Sequence, residues 1–348
     1  MRQTKFLRLL VVMALLLGAN VAGAMTIVLN PGASLAANQP ALDAFQRAAD
    51  AWSHIFSDPI TVVIDADVTG GFGNPNIIGQ TSAAFLTGGY DLIRNQLVAD
   101  SAGKPDKAIV SDLPTAAQFQ AFLPTGFTLS GGLAGTSADL KAMGFDAGLI
   151  DSITGGVDAT ITFNSAFPFY YGTGTVPAGE MDFTTVATHE IGHALGFDSA
   201  VDDLDFFLGN PNPGNPTSID VFVLDLYRFK TAGLPTNAAN FTTTPRSLVP
   251  NDPASFSDVS SVYAMSTGAF TGDGNQASHW KADEITSTFI GIMDPTLNFA
   301  VRENITAADI RSLELIGYDI AAPEPGTMAL GAGALLALAA VRRKRVKA

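Results

Sequence analysis

Thr188-His189-Glu190-Ile191-Gly192-His193-Ala194-Leu195-Gly196-Phe197 is the stretch on which the rest of the chain is read. It contains His-Glu-x-x-His. On an α-helix, residues i and i+4 share a face about one turn apart. His189 and His193 then aim both imidazoles at one point, as metal ligands. Glu190 projects beside that point, where a carboxylate can take a proton from a metal-held water. Gly196 falls where a helix stop belongs. Upstream, Asp182 suits the N-cap of the same helix.

A catalytic zinc site takes three protein ligands and keeps a fourth position for water. The chain has four histidines: His54, His189, His193 and His279. No glutamate lies between Glu190 and Glu284, and Ser199, three residues past Gly196, is a poor zinc ligand. His279, in Ala277-Ser278-His279-Trp280, is the strongest remaining candidate. Asp198 and the acidic stretch 202–205 compete with it. Asp202, Asp203 and Asp205 also suggest hard oxygen ligands for Ca²⁺. Their spacing fits no EF-hand, and the alternative is a solvated loop.

His-Glu-x-x-His-Ala-Leu-Gly-Phe, a distant His-Trp, and then Gly291-Ile292-Met293-Asp294-Pro295 together resemble the leishmanolysin-like branch of the metzincin metalloproteases. The resemblance implies Zn²⁺ held by His189, His193 and His279, with Glu190 as general base. Met293 becomes the Met-turn, an apolar floor beneath the metal. The implied fold class is α+β and metzincin-like. It has a twisted mixed sheet, a zinc-binding active-site helix and a more irregular C-terminal subdomain. Residues 25–196 would be the N-terminal catalytic subdomain and 197–322 the C-terminal one.

Periodicity supplies the surrounding elements. Residues 25–30 and 60–68 read as strands, and 38–56 as a helix with Pro40 in its first turn. A strand, a long helix and a strand resemble the opening of a metzincin catalytic domain. His54 lies off the apolar stripe of that helix and reads as a surface histidine. Short helices are expected near 90–99 and 115–122. Residues 158–164 alternate, placing Ala159, Ile161 and Phe163 on one face. That strand is either the metzincin edge strand, which pairs with extended substrate, or an ordinary sheet strand. Residues 167–171 are aromatic and suit a cleft wall. Residues 219–229 read as a strand or a buried helix. Thr306 and Asp309 form a capping box for a last helix that Gly317 ends.

The termini read differently. Residues 1–24 carry basic residues, an apolar run too short to span a bilayer, and Ala22-Gly23-Ala24, as a secretory signal peptide does. Residues 323–348 begin Pro323-Glu324-Pro325, continue apolar, and end in a basic cluster. This resembles the bacterial PEP-CTERM sorting signal, which implies an exosortase-type processing enzyme and transient membrane association through a C-terminal transmembrane helix. The formal charge is −14, but eight of the 19 basic residues lie in these terminal stretches with one of the 33 acidic ones. The body between them carries about −21, which disfavours nucleic acid and anionic lipid as partners. Cysteine is absent, so a core and a bound metal must hold an exported fold without disulfides. The expected function is an exported zinc endopeptidase acting on protein or peptide substrates. The alternatives are a non-catalytic surface or matrix binding protein on the same fold, and zinc-dependent hydrolysis of a non-peptide bond.

Overall fold

The structure, a computed structural model, describes residues 24–321. The stretches expected to be a leader, 1–24, and a sorting segment, 323–348, therefore lie outside the described residues, apart from Ala24. Among those described, no helix is long and apolar enough to cross a membrane.

Strand β1 (Thr26–Pro31) leads through a short turn of helix into α1 (Gln39–Ser53), and β2 (Thr61–Thr69) returns parallel to β1. α1 starts at Asn38, whose side chain accepts the Ala41 N–H, and Pro40 sits where a missing N–H costs nothing. Ala41, Ala44, Phe45, Ala48, Ala49 and Trp52 form its buried stripe. Next come β3 (Gly79–Ala83), β4 (Phe85–Gly89), α2 (Tyr90–Asp100), β5 (Thr128–Thr136) and β6 (Ala159–Asn164). The first sheet runs β1-β2-β6-β3, with β6 parallel to β2 and β3 antiparallel to β6. The alternating strand is thus interior, paired on both sides. β3 is the edge strand instead.

Helix α3 (Phe183–Ala194) carries the His-Glu-x-x-His motif. After it come α4 (Val201–Gly209), β7 (Ser218–Phe222), β8 (Arg228–Lys230), β9 (Ala254–Ser257), β10 (Val262–Met265) and α5 (Ala307–Ile316). A second sheet runs β7-β5-β4. A third pairs β10, β9 and β8 with two-residue strands at Arg246–Ser247 and Ala121–Phe122. All three sheets mix parallel and antiparallel neighbours, so the fold is α+β.

Two local expectations are corrected. Residues 115–122 are not helical. The Gln118 side chain accepts from both the N–H and the hydroxyl of Thr115, closing a turn, and Ala121–Phe122 then pairs with Arg246–Ser247. The acidic stretch after the motif is not a solvated loop either. Val201, Leu204 and Asp205 are buried, and α4 packs through them.

One apolar cluster runs from Met25 to Tyr318 and draws residues from both sides of Gly196. The far end of the described chain is tied in. Ile320 bridges Phe56, and the Ala321 N–H donates to the Ile55 carbonyl. Lys107, 1% exposed, pairs there with Asp319 at 2.7 Å and with Asp100 at 3.2 Å.

Candidate metal centre

α3 is fixed before it presents any ligand. Its N-cap, Asp182, accepts the Thr185 N–H at 3.1 Å and pairs with Arg302 at 2.7 Å. Arg302 also donates to the carbonyls of Gly172, Thr173 and Gly174. Phe169 and Tyr171 pack against Phe183 at the start of the helix, each with ring centroids 5.2 Å apart. The Trp52 indole donates to the Thr188 carbonyl at 2.9 Å, tying α1 to the turn before His189. At the other end Gly196 adopts φ +113°, a conformation open to glycine. The chain doubles back there, and the Phe197 carbonyl accepts from the His193 Nδ1 at 2.8 Å.

His279 arrives on the segment after β10. Its carbonyl accepts the Ser266 N–H, and Trp280 beside it donates its N–H to the Met293 carbonyl. The Nε2 atoms of His189, His193 and His279 stand 3.1, 3.2 and 3.2 Å apart. Each Nδ1 has a carbonyl partner: Ile292 for His189 at 2.8 Å, Phe197 for His193, and Gln276 for His279 at 3.2 Å. A carbonyl accepts only, so each Nδ1 carries the hydrogen and each Nε2 a bare lone pair. Burial pushes His189 to about 4, His193 to about 3 and His279 well below the usual histidine range. All three rings are neutral near pH 7. Three lone pairs facing one another cannot hydrogen-bond; they call for a cation. A tetrahedral ion with bonds of about 2.0–2.1 Å needs nitrogens about 3.3 Å apart, so the triangle fits.

Among the described residues this is the one group of three or more metal-ligating side chains that converge. Asp198 remains outside it, its Oδ1 3.9 Å from the His193 Nδ1. Ser199 donates to Asp225 at 2.6 Å. Asp202 and Asp205 spend their carboxylates on backbone N–H groups, at 277–278 and 270–271, and Asp203 is exposed. These three therefore do not gather a cation between them. His54 is exposed at the C-cap of α1.

Met293 is 1% exposed and lies against Gly192, where an added Cβ would clash with its sulfur. Its loop is held by Asp309, which does more than complete a capping box. Asp309 accepts from the Trp280 indole at 2.7 Å, Ile292 N–H at 2.8 Å, Met293 N–H at 3.3 Å and Thr306 N–H at 2.7 Å. The carbonyl of that same Ile292 orients His189. His189 on α3 and Trp280, next to His279, are thus braced by one carboxylate on α5.

Glu190 is 5% exposed. The Thr81 hydroxyl of β3 lies 2.7 Å from its Oε2 and 2.9 Å from its carbonyl oxygen. Gly79 is a second close approach: a Cβ there would fall 2.7 Å from Oε1. Thr81 and Gly79 lie in a stretch without strand periodicity, so the sequence carries no signal for their role. Burial raises Glu190 to about 7, against which the Thr81 hydrogen bond works. In the metal-free protein the folded state thus holds this proton more tightly than the unfolded chain, whose carboxyl titrates near 4.5. Its contribution to stability is fully present below pH 4.5 and is lost as pH rises through 7. Metal-free Glu190→Gln should therefore be more stable than metal-free wild type at pH 8, by at most about 3 kcal/mol. The advantage should vanish by pH 4. Denaturant melts of both proteins at the two pH values check this, and equal stability at pH 8 would contradict the desolvated carboxylate.

No protein-family model, curated protein or solved structure matches the chain.

Proposed function

We propose that this protein is an exported zinc endopeptidase on a metzincin-like plan, of the kind the leishmanolysin-like resemblance implies. The observation that carries the reading is the meeting of three neutral imidazole nitrogens, two of them on the helix that also carries the buried Glu190 carboxylate. Three nitrogen ligands at near-tetrahedral spacing suit zinc, and three protein ligands are the number a catalytic zinc site uses. Bound there, zinc would supply Lewis-acid polarisation of a carbonyl and acidify a water.

The chain's own residues do the rest. Glu190 takes the proton from the attacking water and passes it to the leaving amine. Thr81 holds the Glu190 carboxylate in place from β3. The outer edge of β3 has no ladder partner among the described residues. An extended peptide added along that edge runs past Glu190 and is gripped by backbone groups, with little demand on side chains. Met293 and Asp309 keep the floor and the ligand-bearing loops in register. Export and C-terminal processing by an exosortase-type enzyme are part of the same proposal. They rest on 1–24 and 323–348. Nucleic acid is not a partner for so acidic a body, and calcium has no place in this reading.

Metal analysis combined with casein hydrolysis tests it. The expected result is about one zinc per chain and cleavage that a chelator abolishes and added zinc restores. Zinc binding without cleavage of any peptide would favour the non-catalytic binding protein.

A further inference from the structure

We propose that Asp202 is a positioning residue for the third metal ligand: its carboxylate holds the peptide units of Ala277 and Ser278 so that His279 reaches the point shared with His189 and His193. The proposal rests on the metal-centre reading and deepens it.

His189 and His193 inherit their places from a helix. His279 has no such support, and its ring contact, at 3.2 Å to the Gln276 carbonyl, is the longest of the three. Its placement must come through the backbone. Asp202 Oδ1 accepts the Ala277 N–H at 2.5 Å, and Oδ2 accepts the Ser278 N–H at 3.1 Å. Two consecutive N–H groups on one carboxylate orient two peptide planes. The second of those planes is held at its other end as well, since Arg228 Nη1 donates to the Ala277 carbonyl at 3.1 Å. Arg228 is fully buried and also donates to the Ser266 carbonyl at 2.7 Å. Ala277 and Ser278 are buried. Asp202 itself sits in the first turn of α4, just past the end of the metal helix. One side chain thus ties the start of the excursion between His193 and His279 to its finish.

The neighbours on α4 separate this role from general loop holding. Asp205 grips the same loop earlier, at Phe270 and Thr271. Asp203 is exposed. Asp202→Asn keeps the shape but replaces one acceptor with a donor, so one of the two N–H groups loses its partner.

Zinc affinity by competition with a chromophoric chelator is the first readout, and the visible spectrum of the Co²⁺-loaded protein the second. Asp202→Asn should weaken zinc by roughly tenfold or more and reduce the tetrahedral Co²⁺ absorption. Asp203→Asn and Asp205→Asn should stay within about threefold of wild type, well inside that effect. Asp202→Asn at wild-type affinity overturns the proposal. So does an equal loss in Asp205→Asn, since loosening of the whole loop would then explain both. Amide exchange in the unaltered, metal-free protein gives an answer even if the variant fails to fold. Slow exchange at Ala277 and Ser278, matching the core, is expected; fast exchange there overturns the pre-positioning. A wild-type protein that binds no zinc instead sinks the metal-centre reading, before any variant is made.

Discussion

His279→Ala should lose tight zinc binding and all peptide cleavage, while His54→Ala changes neither. Four-ligand zinc sites bind with apparent free energies of about 10–16 kcal/mol, or roughly 3 kcal/mol for each ligand if shared evenly. Removing one nitrogen from three should therefore weaken zinc by about a hundredfold or more. The two remaining histidines, one turn apart on α3, leave the ion open on one side, and the geometry that acidifies its water is lost. His54 is exposed at the end of α1 and serves as the matched control. Zinc content after dialysis and cleavage of a peptide substrate measure both effects. Full zinc retention in His279→Ala would mean that another residue is the third ligand.

Glu190→Gln should separate binding from turnover. The amide matches the carboxylate in shape and still accepts the Thr81 hydroxyl, so the helix and the three imidazoles keep their places. Zinc content should equal that of wild type. The amide cannot take a proton, and positioned general bases contribute about 10² to 10⁴ in rate. Cleavage should fall by at least that lower factor. Activity within tenfold of wild type, on protein with full zinc, would remove Glu190 from the role of base.

The parts of this site that follow from helical periodicity were legible. His189 and His193 at i and i+4, Asp182 as N-cap, and Thr306 with Asp309 as capping box all express short-range geometry. His279 emerged from ligand arithmetic, because four histidines and few glutamates leave little choice. What was not legible is set by partners distant in the chain. Gly79-Gln80-Thr81-Ser82-Ala83 has no apolar alternation; it is a strand because the ladder with β6 makes it one, and that makes β3 rather than β6 the edge. Asp202 could be seen as one acid in a cluster, but its partner N–H groups lie 75 and 76 residues away. The capping function of Asp309 was visible, whereas its grip on Trp280, Ile292 and Met293 was not. Val201 and Leu204 were too few to mark α4 among so many turn-forming residues.

The Lys107–Asp319 pair sets a boundary for trimming of the chain. Any cut beyond residue 321 leaves the bridge between Ile320 and Phe56 and the ion pair untouched. A cut before 319 removes one of two carboxylates from an ammonium group that is 1% exposed. Asp100 and the Gly317 carbonyl still hold the ammonium, so the loss costs at most about 3 kcal/mol, which is still a large share of the stability of an ordinary domain. Erosion of the described chain that reaches this pair is therefore opposed by its cost, whereas a cut past Ala321 spares both ties.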